Sequence, residues 1–303
     1  MKKILAILLA TFTLTTHARE TVTIIYGWSP SDIAANFSRT LAQEANKIQD
    51  QYTFIFDTKP GAGASIAAQY VAKTPNTILA TSSAFWIRPN FFPNESHRVE
   101  DFQQLMPDCD APLGVFAKKY KSWKDVPTDR PLTISVSGLG ITTHLVATEV
   151  AKKYPNMIVV PFKSTTDAVL ATLSGTTDFS VAFIGDSEQY VTATEEKNKL
   201  YNLGITGEKA IDKIPTLVSN GFPKILSQMN APSHLVISNQ VPAKKAKEWR
   251  DILVKAGRSP ALDKAYFAHR CQSLNQMSDD RIQPWFNKQN FIWKQITSEI
   301  VLK

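Results

Sequence analysis

Residues 24–48 read IIYGWSPSDIAANFSRTLAQEANKI. An apolar, β-branched run ending at Tyr26 passes into a helix-patterned run through Gly27-Trp28-Ser29-Pro30-Ser31-Asp32. The first part favours a strand. In the second, Ile33, Phe37, Leu41, Ala45 and Ile48 recur at helical spacing, which predicts a helix over 30–48. A strand joined so closely to a helix is the opening of a βαβ unit, and a chain that repeats it builds parallel strands. At the junction Ser29 is placed to cap the helix and Pro30 suits its first position. Asp32 stands where the third residue of a capping box reaches back. The unpaired N–H groups of the same helix start also suit an anion. Both readings stay open, because a capping Asp32 already supplies a negative charge there.

Outward from this stretch, the alternation continues. Strand patterns fall at 52–57, 77–81 and 113–117, with a helix opened by Gly61-Ala62-Gly63-Ala64-Ser65 and running to about residue 73. Pro112, Pro127 and Pro131 punctuate the chain up to residue 131, and a second series follows. It has strands at 132–136, 157–160, 179–183 and 200–205, and helices at 143–154 and 167–173. After a loop-rich passage, 215–232, come a strand at 235–238 and three helices, 244–256, 261–269 and 279–300. This predicts two α/β units with mostly parallel sheets. No long flexible linker separates them, so two compact lobes hinged about a ligand cleft are expected.

Composition bounds the function. Of 303 residues 43% are hydrophobic and 20% charged, an ordinary globular balance. Lys2 and Lys3, the apolar run 4–14 and Thr16-His17-Ala18 read as an export signal, residues 1–18, which points to the periplasm, with secretion beyond the cell as the second reading. Without the signal, Lys+Arg falls from 34 to 32 against 27 Asp+Glu, a net charge of about +5. The basic residues are dispersed, which argues against nucleic acid as a partner. Cys109 and Cys271 form either one bridge or two separate buried thiols, and no Cys/His spacing marks a metal site. GxSxG, HExxH and GxxxxGK[ST] are absent, and Gly61-x-Gly63 continues to Ile66, failing the dinucleotide fingerprint. No cofactor is expected and no catalytic residue is assigned. His144, at a helix start, reads as a packing or capping residue. Asp178 and Asp186 flank a strand and read as turn residues.

Small, hydroxyl-rich stretches recur where strands give way to helices: Gly61–Ser65, Ser82-Ser83, Ser137-Gly138-Leu139-Gly140-Ile141-Thr142-Thr143-His144 and Lys163-Ser164-Thr165-Thr166. In open parallel sheets ligands collect beyond the carboxyl ends of the strands. Several such stretches form a rim of N–H and O–H donors fit for a carboxylate.

Several stretches together resemble the periplasmic receptors of tripartite tricarboxylate transporters, the Bug receptors. They are YGWSPSDIAANFSRTLA (26–42), KPGAGASIAAQYVA (59–72), GLGITTHL (138–145), VPFKSTTDAVLATLSGTTDFSVA (160–182) and LGITGEKAIDKIPTLVSNGFP (203–223). The resemblance implies a two-lobed Venus-flytrap fold with two crossover strands. Residues 19–117 and 232–303 make lobe 1, and 118–231 make lobe 2. It implies a monomeric, non-enzymatic receptor that captures a small organic acid and hands it to membrane permease components. The carboxylate would be held by loop backbone, hydroxyls and ordered water rather than by an arginine. The implied contacts are Trp28, Ser29, Ser31 and Asp32 on one side and Gly138, Gly140, Ile141, Thr142 and Thr143 on the other. Ser82, Ser83, Lys163 and Asp186 are further candidates. Trp28, Ile141 and Ser164 depart from the family pattern at the pocket, and the first two point to an aromatic or partly apolar monocarboxylate. Two other classes remain open: a binding protein of an ABC importer or sensor, and an α/β enzyme using Asp186 or His144.

Overall fold

The computed structural model describes residues 19–302; the expected export signal, 1–18, lies outside the described residues. The chain runs β1 (Glu20–Tyr26), α1 (Ile33–Lys47), β2 (Tyr52–Thr58), α2 (Ser65–Lys73), β3 (Thr77–Thr81), α3 (Ala84–Phe91), β4 (Phe102–Ala111) and β5 (Leu113–Ala117). It continues through β6 (Leu132–Val136), α4 (Thr142–Ala151), β7 (Met157–Pro161), α5 (Thr165–Leu173), β8 (Phe179–Phe183), α6 (Ile184–Val191) and β9 (Tyr201–Ile205). Last come β10 (Ala231–Ser238), α7 (Ala243–Gly257), α8 (Pro260–Ala268), β11 (Gln272–Ser273) and α9 (Asp279–Glu299).

Two sheets result, ordered β11-β4-β10-β3-β1-β2 and β7-β6-β8-β5-β9. They are mixed, where mostly parallel sheets were expected. β1 pairs parallel with β2 and β3, and β6 with β7 and β8. The ladders of β10 with β3 and β4, of β11 with β4, and of β5 with β8 and β9 are antiparallel. The reversal follows from the chain path. β5 and β10 are the strands that arrive from the opposite sheet, so they run away from the junction between sheets while their neighbours run toward it. The first crossing falls at Pro112. Leu113–Ala117, expected in the first lobe, pairs with β8 and β9 and belongs to the second sheet.

Local chemistry explains most elements. Phe37, Leu41 and Ala45 of α1 are buried, and Asn46 pins the helix to edge strand β2 through reciprocal 2.8 Å bonds with the N–H and C=O of Phe54. α4 is buried along its whole length and packs on β6, β7 and β8 of its own sheet. The α9 residues Phe286 and Trp293 are buried, and Phe286 packs against Phe85 and Trp86 of α3, so the C-terminal helix covers the first sheet. β4 carries polar Gln103, Gln104 and Asp108 and an interior Pro107, opposite a register shift in β10. That composition hides a central strand from a periodicity reading.

Cys109 on β4 and Cys271 beside β11 form a disulfide with a Cα–Cα distance of 5.7 Å. The bridge ties the crossover strand to the segment after α8, across 162 residues of sequence. Replacing both cysteines by serine should lower the unfolding free energy by about 2–5 kcal/mol. The check is a lower urea midpoint, with a steeper slope as the unbridged unfolded chain exposes more surface; an unchanged midpoint would remove the bridge from the stability of the fold.

Candidate functional site: a closed cleft between the sheets

The carboxyl ends of β1, β3, β6 and β8 meet at the junction between the sheets. Each strand hands over to a helix there, so helix starts from both lobes converge on one place. In the first lobe, Gly27 follows β1 because a Cβ at that position would overlap Ala64. The chain then turns through Trp28 and Ser29, and the N–H of Asp32 donates to the carbonyl of Ser29 at 3.1 Å. α1 starts at Ile33, three residues later than expected. The expected capping box is not formed: Ser29 Oγ bonds Ser31 Oγ at 2.7 Å, and Asp32 holds the N-cap position without a side-chain cap bond. The turn at Pro30 and Ser31 precludes the helical spacing that a box needs. The Asp32 carboxylate instead crosses the cleft and accepts from Thr166 Oγ1 on α5 at 3.3 Å.

In the second lobe, Gly138 (φ 140°) and Gly140 (φ 65°) give the loop after β6 a shape that side-chain-bearing residues resist. His144 Nδ1 accepts the Gly140 N–H at 2.9 Å, and Thr143 Oγ1 accepts from Ser137 N at 3.3 Å. His144 therefore fixes the loop, as a capping residue. Asp178 pairs with Arg130 at 2.6 Å and accepts from Thr133 N, a structural tie away from the cleft.

The lobes are shut against each other. Ser83 Oγ and Thr142 Oγ1 share a hydrogen bond across the gap, and the Arg88 guanidinium donates to the Leu139 carbonyl at 2.7 Å. Arg270, beyond α8, pairs with Glu188 at 3.0 Å and Asp212 at 2.6 Å in the second lobe. The cavity between the lobes measures about 40 Å³, room for a water or a very small group in this form. Tyr26, Trp28, Asp32, Thr81 and Ser82 line it from the first lobe, and Ser137, Ile141, Thr142, Thr143, Thr165 and Phe183 from the second. Leu113, Ala231 and Ser233, on or beside the crossover strands, form its floor. A second cavity of about 20 Å³ adjoins it, sharing the walls Ala34, Phe183 and Ser233, and is lined by Asp186 and His269.

Of the residues singled out in the sequence, Trp28, Asp32, Ser82, Ile141, Thr142 and Thr143 meet at the cavity. Ser83 lies behind it, bonded to Thr142, while Gly138 and Gly140 shape the loop. Asp186 sits at the adjoining cavity. Ser29 and Ser31 bond each other outside the lining, and Lys163 is exposed. Tyr26, Thr81 and Phe183 were missed, although each is the last residue of a strand, which the carboxyl-end rule could have flagged. Ser233 and Leu113 carried no signal, since strand crossing is a tertiary property.

Burial dominates the electrostatics. Desolvation, offset by bonds from Thr166, raises the Asp32 carboxyl to about 6. Asp186 is pushed well above the ordinary range by burial first and by the Asp32 charge second. No lysine or arginine is among the residues lining either cavity. No group of three or more His, Cys, Asp or Glu among the described residues is placed to hold a metal, and no described helix is long and apolar enough to cross a membrane.

This two-domain α/β architecture is that of periplasmic binding proteins. It is similar to the binding protein BugD, at TM-score 0.81 and 18% identity, covering 93% of this chain and 98% of that one. MatC (Rpa3494) from Rhodopseudomonas palustris with bound malate aligns at TM-score 0.78 and 16% identity, covering 92% and 99%. R. palustris Rpa4515 with adipate aligns at TM-score 0.78 and 17% identity, covering 93% and 97%. No curated protein matches. The model of the tripartite tricarboxylate transporter family receptor matches residues 37–302, and the chain belongs to that family.

The Asp32 carboxyl gives the cleft a testable charge. Its folded pKa lies above the unfolded value, so its ionisation opposes folding. The stability it contributes is complete below about pH 4 and lost as pH rises through about 6. Asp32→Asn should therefore gain up to about 2 kcal/mol relative to wild type between pH 4 and pH 7. Urea unfolding at both pH values reads this; an equal difference at the two would place Asp32 in a solvated setting.

Proposed function

We propose that this protein is a periplasmic solute-binding receptor that captures a small carboxylate between its lobes and delivers it to the membrane components of its transporter. It acts as a single chain and does not transform the ligand. The observation that carries this reading is the convergence, from both sheets, of helix starts bearing hydroxyls on one closed cavity. Family membership supports it, as do the malate and adipate held by two structural neighbours.

The ligand carboxylate lies against the starts of α4 and α5, within reach of Thr142, Thr143 and Thr165, with Ser82 opposite. Trp28 and Ile141 cover its apolar part. The site holds the anion with neutral donors and helix-end dipoles, which suits a single carboxylate. Binding and closure are one process: donors from both lobes reach the guest together only in the shut form, so a ligand shifts the population toward it. The narrow cavity favours a small, partly apolar monocarboxylate over a tricarboxylate.

Thr142 is the sharpest probe, because its hydroxyl lies at the cavity and bonds Ser83 across the gap. Thr142→Val should weaken carboxylate binding by about tenfold, one hydrogen bond to a charged group, while circular dichroism stays that of wild type. Calorimetry with a ligand found by thermal shift across a panel of small organic acids reads the change. Unchanged affinity would take this loop out of the site, and a panel in which no carboxylate raises the melting temperature would overturn the function.

A further inference from the structure

We propose that a second ligand site lies on the outer face of the crossing strands, and that it takes an uncharged polyol or sugar which ties the two lobes together in the shut form. The inference goes beyond the carboxylate site, and only its effect on closure rests on that reading. Side chains alternate between the two faces of a strand. Along the crossings, Ala111, Leu113, Ala231 and Ser233 line the cleft cavities. Their neighbours Asp110, Pro112, Asn230 and Pro232 line another cavity, of about 480 Å³, on the opposite face. That volume falls within the ~300–1,000 Å³ of ordinary small-molecule sites. Both lobes supply its walls: the second through Thr206 and Gly207, just after β9, and the first through Gln272 of β11 and Gln289 of α9.

The floor is a fixed chain of donors and acceptors. Asn230 accepts from Thr206 Oγ1 at 3.1 Å and donates to Asp110 at 3.2 Å, while Thr206 Oγ1 accepts the Leu113 N–H at 2.9 Å. Gly207 (φ 94°) lets the chain pass close over Asn230, where a Cβ would come within 3.2 Å of the amide oxygen. Gln228, Gln272 and Gln289 add carboxamides to the walls, and each carboxamide both donates and accepts. A hydroxyl does the same, so a guest with several hydroxyls matches this lining. Charge favours neither an anion nor a cation, because Asp110 and Glu208 are offset by Lys209 and Arg270. No aromatic ring is among the lining residues, while Pro112, Pro232 and Ile292 offer apolar surface to C–H groups. A guest bonded to both walls binds the shut form better than one in which the walls have moved apart, so it favours closure. By linkage, it then strengthens binding of the carboxylate by the same factor that the carboxylate strengthens its own.

The test uses the full chain without its signal and calorimetry with glycerol, sorbitol, myo-inositol, glucose and sucrose, with acetate and ethylammonium as charged probes. At least one polyol or sugar should bind with a dissociation constant of about 1 mM or tighter. The double variant Gln272→Ala/Gln289→Ala removes two carboxamides from the first-lobe wall. It should weaken that binding about tenfold or more and leave the affinity for a carboxylate measured alone unchanged. With the polyol or sugar saturating, the acid found by thermal shift should bind about fivefold more tightly. No binding by any polyol or sugar, or binding that the double variant keeps, overturns the site. A charged probe that binds as tightly and is weakened equally by the variant overturns the uncharged class. Unchanged acid affinity under a saturating polyol or sugar overturns the tie between the lobes. If no acid binds at all, the carboxylate reading fails, and the polyol and sugar heats still decide this site. If the double variant does not fold, Gln272→Ala, at an exposed position, takes its place.

Discussion

A strand that enters a sheet from the cleft must run away from it, and in this protein all the strands that feed the cleft helices run toward it. β1 to β3 and β6 to β8 obey the second condition, and β5 and β10 the first. The site depends on this polarity. It brings the starts of α1, α3, α4, α5 and α6 to one junction, with their unpaired N–H groups and partial positive charge turned inward. It also places the two chain crossings, at Pro112 and before β10, side by side at the cavity, where Ala231 pairs with Ala111.

Closure is held by few polar contacts, spread over the whole interface. Asp32 reaches Thr166, Ser83 reaches Thr142, Arg88 reaches Leu139, and Arg270 holds Glu188 and Asp212 at the far side. Apolar contact accompanies them: Ile141 of the second lobe belongs to the same buried cluster as Trp28 and Ala64 of the first. The Asp32 carboxylate has a double part: it bridges the lobes, and it gives the cavity a negative charge that a receptor for organic anions must offset.

Much of this could be read from the sequence. The β1–α1 junction, the second series of strands and helices and the hydroxyl-rich turns at 137–143 were all apparent from periodicity and turn chemistry. Six of the contacts that the family resemblance implied line the cavity. Helix patterns survive in sequence because one face is buried and the other wet, as at Phe37, Leu41 and Ala45. β4 did not show itself, since Pro107 and the polar residues around it break the alternation, and its hydrogen bonds are completed by β10 and β11 from far along the chain. The start of α1 shifted because Ser29 found Ser31 as a partner, a choice between two local bonds of similar strength.

The sequence by itself determined the order of elements and the chemistry at their ends, because both depend on neighbours within one or two turns of chain. Only the tertiary structure decided which ends face each other. The Cys109–Cys271 bridge, left open by spacing alone, is settled by the pairing of β4 with β11. The meeting of Asp32 with Thr166, and of Asp32 and Asp186 around shared walls, joins residues more than a hundred positions apart. Such encounters are set by the reversal of two crossing strands and the closing of two lobes, and no local pattern records either.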